Sequence, residues 1–188
     1  MKRSSEESLK GQTETLVAAA TAAAAWFRRP APSALSAART ARLRALGWRE
    51  AAVIAHKTFR GFAKADAADA SFALREAIEH SAQAVSEAVR YGVEADLGLL
   101  KTAEALREAA KALAAAALVR GKGRAAALVL AKKWASETER LSRLTRAHAH
   151  EDPSLTNALK REAVAARLSN AAEAIQQAGD ALTGGLVE

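Results

Sequence analysis

Four histidines, at positions 56, 80, 148 and 150, and a complete lack of cysteine narrow the chemistry open to this chain of 188 residues. Without thiols there are no disulfides, thiolate metal sites or cysteine nucleophiles, which leaves carboxylates, histidine, serine and lysine. Glu76 and His80 are four apart and can share a helix face. A lone pair of this kind is more often a surface hydrogen bond than a metal site, so no metal is expected there. His148 and His150 sit near a helix end, where a cationic imidazole favours the dipole. None of these belongs to an HExxH or Glu-x-x-His arrangement. The glycines around Arg120 to Arg124 lack the strand and the Lys-Ser/Thr of a phosphate loop. The sequence therefore predicts no catalytic residues, no metal, no cofactor and no enzyme.

Cationic side chains are a stronger signal. From Arg28 to Lys64 there are nine Lys or Arg and one acid, Glu50, a net of +8 in a chain whose total is +7. On a helical wheel Arg39, Arg49, His56, Lys57, Arg60 and Lys64 fall within roughly 60° of Arg42. The opposite side carries Leu43, Gly47, Trp48, Ala51, Ile54, Ala55, Phe59 and Phe62, with Arg44 snorkelling from it. Such a stripe is either a solvated face or a surface for anions, and Arg39, Arg42, Arg49, Lys57, Arg60 and Lys64 are its candidate partner-binding residues. Phospholipid headgroups, acidic loops of a membrane protein and polyphosphate fit it; nucleic acid fits least, because no aromatics interleave the basic residues.

The elements that must carry this stripe are helices. Half of the residues are hydrophobic, more than a quarter are alanine and only 4% are aromatic, so helices can approach closely while each contact buries little area. Proline occurs only at 30, 32 and 153. A first helix over residues 5–27 stops at Arg28-Arg29-Pro30-Ala31-Pro32. Ser33 or Ser36 can cap a second, which runs to about Phe62. Residues 64–69 read as a connection with Asp66 and Asp69 as candidate N-caps, and a third helix runs on to Tyr91 with the stripe Leu74, Ile78, Ala82, Val85 and Val89.

Gly92 and Gly98 bracket a weaker break before a fourth helix with Leu99, Leu100, Leu106 and Leu113. Arg120-Gly121-Lys122-Gly123 is a turn. The fifth helix presents Leu130, Trp134, Thr138, Leu141 and His148, and the sixth starts at Asp152-Pro153-Ser154, with Asp152 as N-cap, and carries Val164, Leu168, Ala171, Ile175 and Leu182. Trp26, Trp48 and Trp134 are expected as core anchors. The apolar run from Leu16 to Phe27 is too short for the roughly 20 residues of a membrane span, and Glu6, Glu7 and Glu14 spoil it as a signal peptide, so a buried helix and a cytoplasmic protein are expected.

A repeat joins the halves. Ala77-Ile78-Glu79 with Gln83-Ala84 returns as Ala171-Ala172-Glu173 with Gln177-Ala178, half a chain length later. The expectation is an all-α, six-helix bundle, a single domain over residues 1–188 with repeat one at about 5–92 and repeat two at about 96–186.

This layout, with Lys57-Thr58-Phe59 ending the second helix, Glu151-Asp152-Pro153 opening the sixth and the closing Leu182-Thr183-Gly184-Gly185-Leu186-Val187, resembles the PhoU-like family of phosphate-transport regulators. The closer branch is the one often encoded beside Pit-type phosphate permeases, and the resemblance covers about residue 10 onward. It implies two three-helix repeats and a regulatory, non-enzymatic role. Members also carry acidic motifs that hold iron or zinc, but the matching positions here are Glu79 with Gln83, Glu173 with Gln177, Trp48 with Ala52 and Ala135 with Glu139. Amide, indole and methyl groups are poor substitutes for carboxylate ligands, so the clusters are not carried over and Glu79, Glu139 and Glu173 stand as isolated acids.

The function expected is thus an accessory of inorganic phosphate transport, its basic helix meeting a Pit-like permease or an acidic membrane surface at the inner face, with homo-oligomers open. The alternative is an alanine-rich, phasin-like coat of lipid or polymer granules.

Overall fold

In the computed structural model the described residues are 5–58, 62–94, 96–119 and 121–184, with 5–7, 49–58, 62–67 and 184 described by their backbone alone. They form six α-helices: α1 Ser5–Arg28, α2 Pro32–Thr58, α3 Phe62–Tyr91, α4 Leu97–Leu118, α5 Lys122–Ala149 and α6 Leu155–Gly184. The all-α bundle expected from composition and punctuation is what the chain adopts.

Local chemistry sets most of the boundaries. Pro32 stands at the first position of α2, where its missing amide hydrogen costs nothing. The α3 helix closes on Gly92 with φ 64°, and Val93 N donates to Ala88 O at 2.9 Å while Gly92 N donates to Val89 O at 3.2 Å. That left-handed residue with paired back-bonds needs a glycine, because a Cβ would be strained there. Asp96 caps α4 by accepting from Leu99 N at 2.8 Å.

Three boundaries differ from the sequence reading. Helix α2 starts at Pro32 and ends at Thr58, so Ser33 and Ser36 lie inside it and Phe62 belongs to α3, because Pro32 is already suited to the first helical position. Residues 64–69 lie inside α3, which starts at Phe62, so they are not a connection; Asp66 and Asp69 interrupt a helix no more than other polar residues of middling propensity. At α6 the cap is Ser154, whose Oγ accepts from Asn157 N at 3.3 Å. Asp152 instead accepts from Ser154 N at 2.8 Å, an Asx turn that feeds the chain into the helix.

The packing has a simple plan. Helices α1, α2 and α3 contact one another, as do α4, α5 and α6, and the triplets meet where α1 lies on α4 and α3 lies on α6. Among the described residues α2 touches only α1 and α3, and α5 only α4 and α6, so these two are the outer helices. The core between the other four contains Leu16, Leu74, Ile78, Val85, Leu99, Leu106, Leu113, Val164, Leu168 and Ile175 with Phe27, all fully or almost fully buried, and alanines fill most of the remaining interior positions.

The outer helices correct the sequence reading of their faces. In α2 the buried stripe is Ala34, Ala38, Ala41 and Ala45, whereas Leu43 is 69% exposed and Arg44 is exposed. In α5 it is Leu128, Ala131, Ala135, Thr138, Ser142, Thr145 and Ala149, which leaves Leu130 exposed and Trp134 and Leu141 half-buried. Val89 of α3 also faces outward. Small side chains let backbones approach, and the dispersion gained over a close helix contact can outweigh burying one leucine.

Two glycines permit the tightest of these approaches. A Cβ on Gly11 of α1 would lie 2.8 Å from the ring carbons Cη2 and Cζ2 of Trp48 on α2, and one on Gly98 of α4 would lie 2.8 Å from Thr145 Oγ1 on α5. In both helices a threonine one turn on bonds back to that glycine: Thr15 Oγ1 donates to Gly11 O at 2.7 Å and Thr102 Oγ1 to Gly98 O at 2.8 Å. The half-buried Trp48 is thus an anchor across α1 and α2, as the sequence suggests for the tryptophans.

Candidate functional site: the outer face of α2

Seating α2 on its alanine stripe turns Arg39, Thr40, Arg42, Leu43, Arg44, Leu46 and Gly47 outward. Arg39 and Arg44 are exposed cations, and Leu43 and Leu46, 69% and 51% exposed, stand among them. The face is a mixture of guanidinium and isobutyl groups and not a purely basic stripe. Arg42 also reaches across to α3, where its guanidinium lies 3.6 Å from Glu79 Oε1. Of the other predicted partner-binding residues, Arg49 and Lys57 continue α2 and Lys64 lies in α3, with side chains outside the described part; Arg60 lies outside the described residues altogether.

At Glu79, Glu139 and Glu173, the isolated acids singled out in the sequence, the structure shows amide–carboxylate bonds. Gln83 Nε2 donates to Glu79 Oε1 at 3.1 Å along α3, and Gln177 Nε2 lies 3.5 Å from Glu173 Oε1 along α6. Glu139 of α5 accepts from Gln176 Nε2 of α6 at 2.7 Å, while Ala135 is buried in the α5 stripe. Each carboxylate is engaged by a neutral donor or an arginine. Among the described residues no group of three His, Asp or Glu side chains is arranged to hold a metal ion.

His80 lies on α3 toward α6, half-buried, and its Nδ1 is buried with no hydrogen-bond partner among the described residues. Burial lowers the imidazole pKa, the nearby Arg167 lowers it further, and Glu76, Glu79 and Glu87 pull weakly the other way. The neutral ring is thereby favoured more than in a free imidazole. His148 is exposed, its Nδ1 2.8 Å from Leu144 O, and His150 is the C-cap of α5.

Two ion pairs that no sequence spacing reveals join the triplets. Arg28 at the end of α1 pairs with Glu104 of α4, and Arg167 Nε of α6 donates to Glu87 Oε1 of α3 at 2.9 Å. Their partners are 76 and 80 residues apart, beyond any helical period. A shallow cleft of about 230 Å³ near the α3–α4 turn is lined by Gly92, Val93, Glu94, Asn157, Lys160 and Arg161. Arg161 is already shared there between Asp96 and Asp152, 3.7 Å from each.

No helix among the described residues is long and apolar enough to cross a membrane. In comparison with known proteins, the chain matches no family model and no curated sequence.

Proposed function

We propose that this chain is a non-enzymatic accessory of inorganic phosphate transport, a PhoU-like regulator that acts through the outer face of α2 on a Pit-like permease or the acidic membrane surface around it. The observation that carries the reading is the placement of α2. Among the described residues it rests on α1 and α3 alone, so Arg39, Arg42 and Arg44 face outward from the bundle. The plan of two mutually packed triplets joined through α1·α4 and α3·α6 is what a duplicated three-helix unit of the PhoU-like kind would give. Charge on such a face speeds encounter with an acidic partner and orients it.

The test is a pull-down of a Pit-like permease in mild detergent with the intact protein. Capture should weaken with added salt and be lost when Arg39, Arg42 and Arg44 are changed to Glu, with the thermal melt otherwise preserved. Capture that is absent, or indifferent to both salt and charge reversal, overturns the proposal. Leu43 and Leu46 favour a second reading, the alanine-rich granule coat, since exposed leucines beside arginines also suit an apolar surface with an anionic film. A coat protein gains helix when lipid is added, whereas the bundle melts cooperatively and fully helical in buffer.

A further inference from the structure

The α4–α5 hairpin carries a second cationic surface, independent of the α2 face and of the phosphate-transport reading. From Ala109 to Ser136 the sequence contains Lys111, Arg120, Lys122, Arg124, Lys132 and Lys133 and no acid. Four large apolar side chains of this hairpin are exposed: Leu118 at 62%, Val119 at 40%, Val129 at 69% and Leu130 at 46%. Along α5, Lys122, Ala126, Val129, Leu130 and Lys133 are all exposed at spacings of four, three, one and three, so they share one outward face. A lysine stands at each end of that face and an apolar strip lies between.

The two helix ends are joined. Arg124 Nε donates to Ala116 O at 3.2 Å, closing the end of α4 against the first turn of α5, and Val119 packs over Gly123, 3.7 Å from where a Cβ would stand. Leu118 and Val119 stand exposed beside this contact. Lys132 pairs with Asp180 of α6, while Lys122 and Lys133 extend into solvent.

We infer that this hairpin tip docks on an anionic lipid surface, with Leu118, Val119, Val129 and Leu130 entering the boundary between headgroups and acyl chains and Lys122 and Lys133 meeting lipid phosphates. The chemistry is that of an interfacial anchor: apolar side chains gain from leaving water, and lysines beside them gain from the negative surface potential. Absence of acid from Ala109 to Ser136, the tip half of the hairpin, removes the repulsion that would oppose this contact. A protein partner would need an apolar pocket rimmed with acids, whereas any anionic bilayer supplies both features.

Vesicle co-sedimentation of the intact protein tests it. Wild-type protein should sediment with phosphatidylcholine vesicles containing phosphatidylglycerol, weakly with phosphatidylcholine alone, and less as salt is added. Leu118→Ser with Val129→Ser should weaken partitioning about tenfold, since each exposed side chain contributes transfer energy only in the bound state. Lys122→Glu with Lys133→Glu should weaken it at least as much. All four positions are exposed, so melting temperatures should stay at the wild-type value, which separates loss of docking from loss of fold. Equal binding to neutral and anionic vesicles, no binding to either, or binding unchanged in both variants overturns the inference. So does a concentration-dependent dimer abolished by the Leu118 and Val129 changes, which would make a second copy the occupant. Failure of permease capture leaves this result untouched.

Discussion

Replacing Gly98 with alanine is the sharpest probe of how the outer helices are seated. The added Cβ would stand 2.8 Å from Thr145 Oγ1, 3.3 Å from Thr145 Cγ2 and 3.2 Å from Asp96 Oδ1. Neither neighbour yields easily. Thr145 is 7% exposed and β-branched, and its hydroxyl donates to Leu141 O at 2.9 Å, so turning χ1 sacrifices that bond. Asp96 holds the first turn of α4 through Leu99 N. Overpacking of this kind costs about 1–3 kcal/mol, against which alanine regains up to about 1 kcal/mol of helix propensity. A net loss of about 1–2 kcal/mol follows, which for a chain of this size lowers the melting temperature by about 2–4 °C per kcal/mol.

A double-mutant cycle isolates the contact. Thr145→Ala removes the two Thr145 atoms and leaves only the 3.2 Å approach to Asp96 Oδ1, so Gly98→Ala in that background should cost less than in wild type, with a coupling of about 1–2 kcal/mol relative to the sum of the single changes. Thermal and urea unfolding followed by far-UV circular dichroism supplies all four corners. If the Gly98 variant melts at or above wild type, or the cycle shows no coupling, the close approach of α4 and α5 at this glycine is not what sets the packing.

Two further expectations follow from the same geometry. Leu128→Ala should cost about 2–5 kcal/mol and Leu130→Ala at most about 0.5 kcal/mol, because only the first is buried; comparable losses in urea unfolding would refute the face assigned to α5. His80 has a lower pKa folded than unfolded, so the unfolded chain binds the extra proton: stability should be full above an ordinary imidazole pKa of about 6.5 and fall as pH drops through and below it. His80→Gln should flatten that part of the stability–pH curve, and an unchanged slope would assign the effect to other groups.

The sequence was legible where single residues dictate backbone geometry. Pro30 and Pro32, Gly92 and Gly121 mark breaks that any helix must respect, and the periodic Leu74, Ile78, Ala82 and Val85 or Val164, Leu168, Ala171 and Ile175 identify core faces because they include large side chains with no rival stripe. It was least legible on α2 and α5. There, alanines and hydroxyl residues compete with leucines for the interior, and a hydropathy wheel follows the leucines while the packed backbone follows the alanines. Capping at Ser154 and not Asp152 depends on a local Asx turn that the Asp-Pro-Ser string permits but does not require. On the candidate site, Arg39 and Arg42 do face outward, yet the Arg42–Glu79 pair and the leucines among the arginines come from how α2 is rolled. The cationic α4–α5 tip was readable in principle from its acid-free run, but a whole-chain charge balance hides it.

The alanine interior reverses the usual relation between residue size and mutational damage. In most cores, truncation is harmful and cavities report on packing; here many interior positions already carry the smallest chiral side chain, so an alanine scan would pass over them silently. Enlargement is the informative change. Valine or leucine at Ala19, Ala38, Ala109 or Ala171, each at or near zero exposure, must push helices apart across a whole contact. The inner positions of such a chain are thereby confined to alanine, glycine or serine, a constraint set by the spacing between backbones and not by the apolar area each side chain buries.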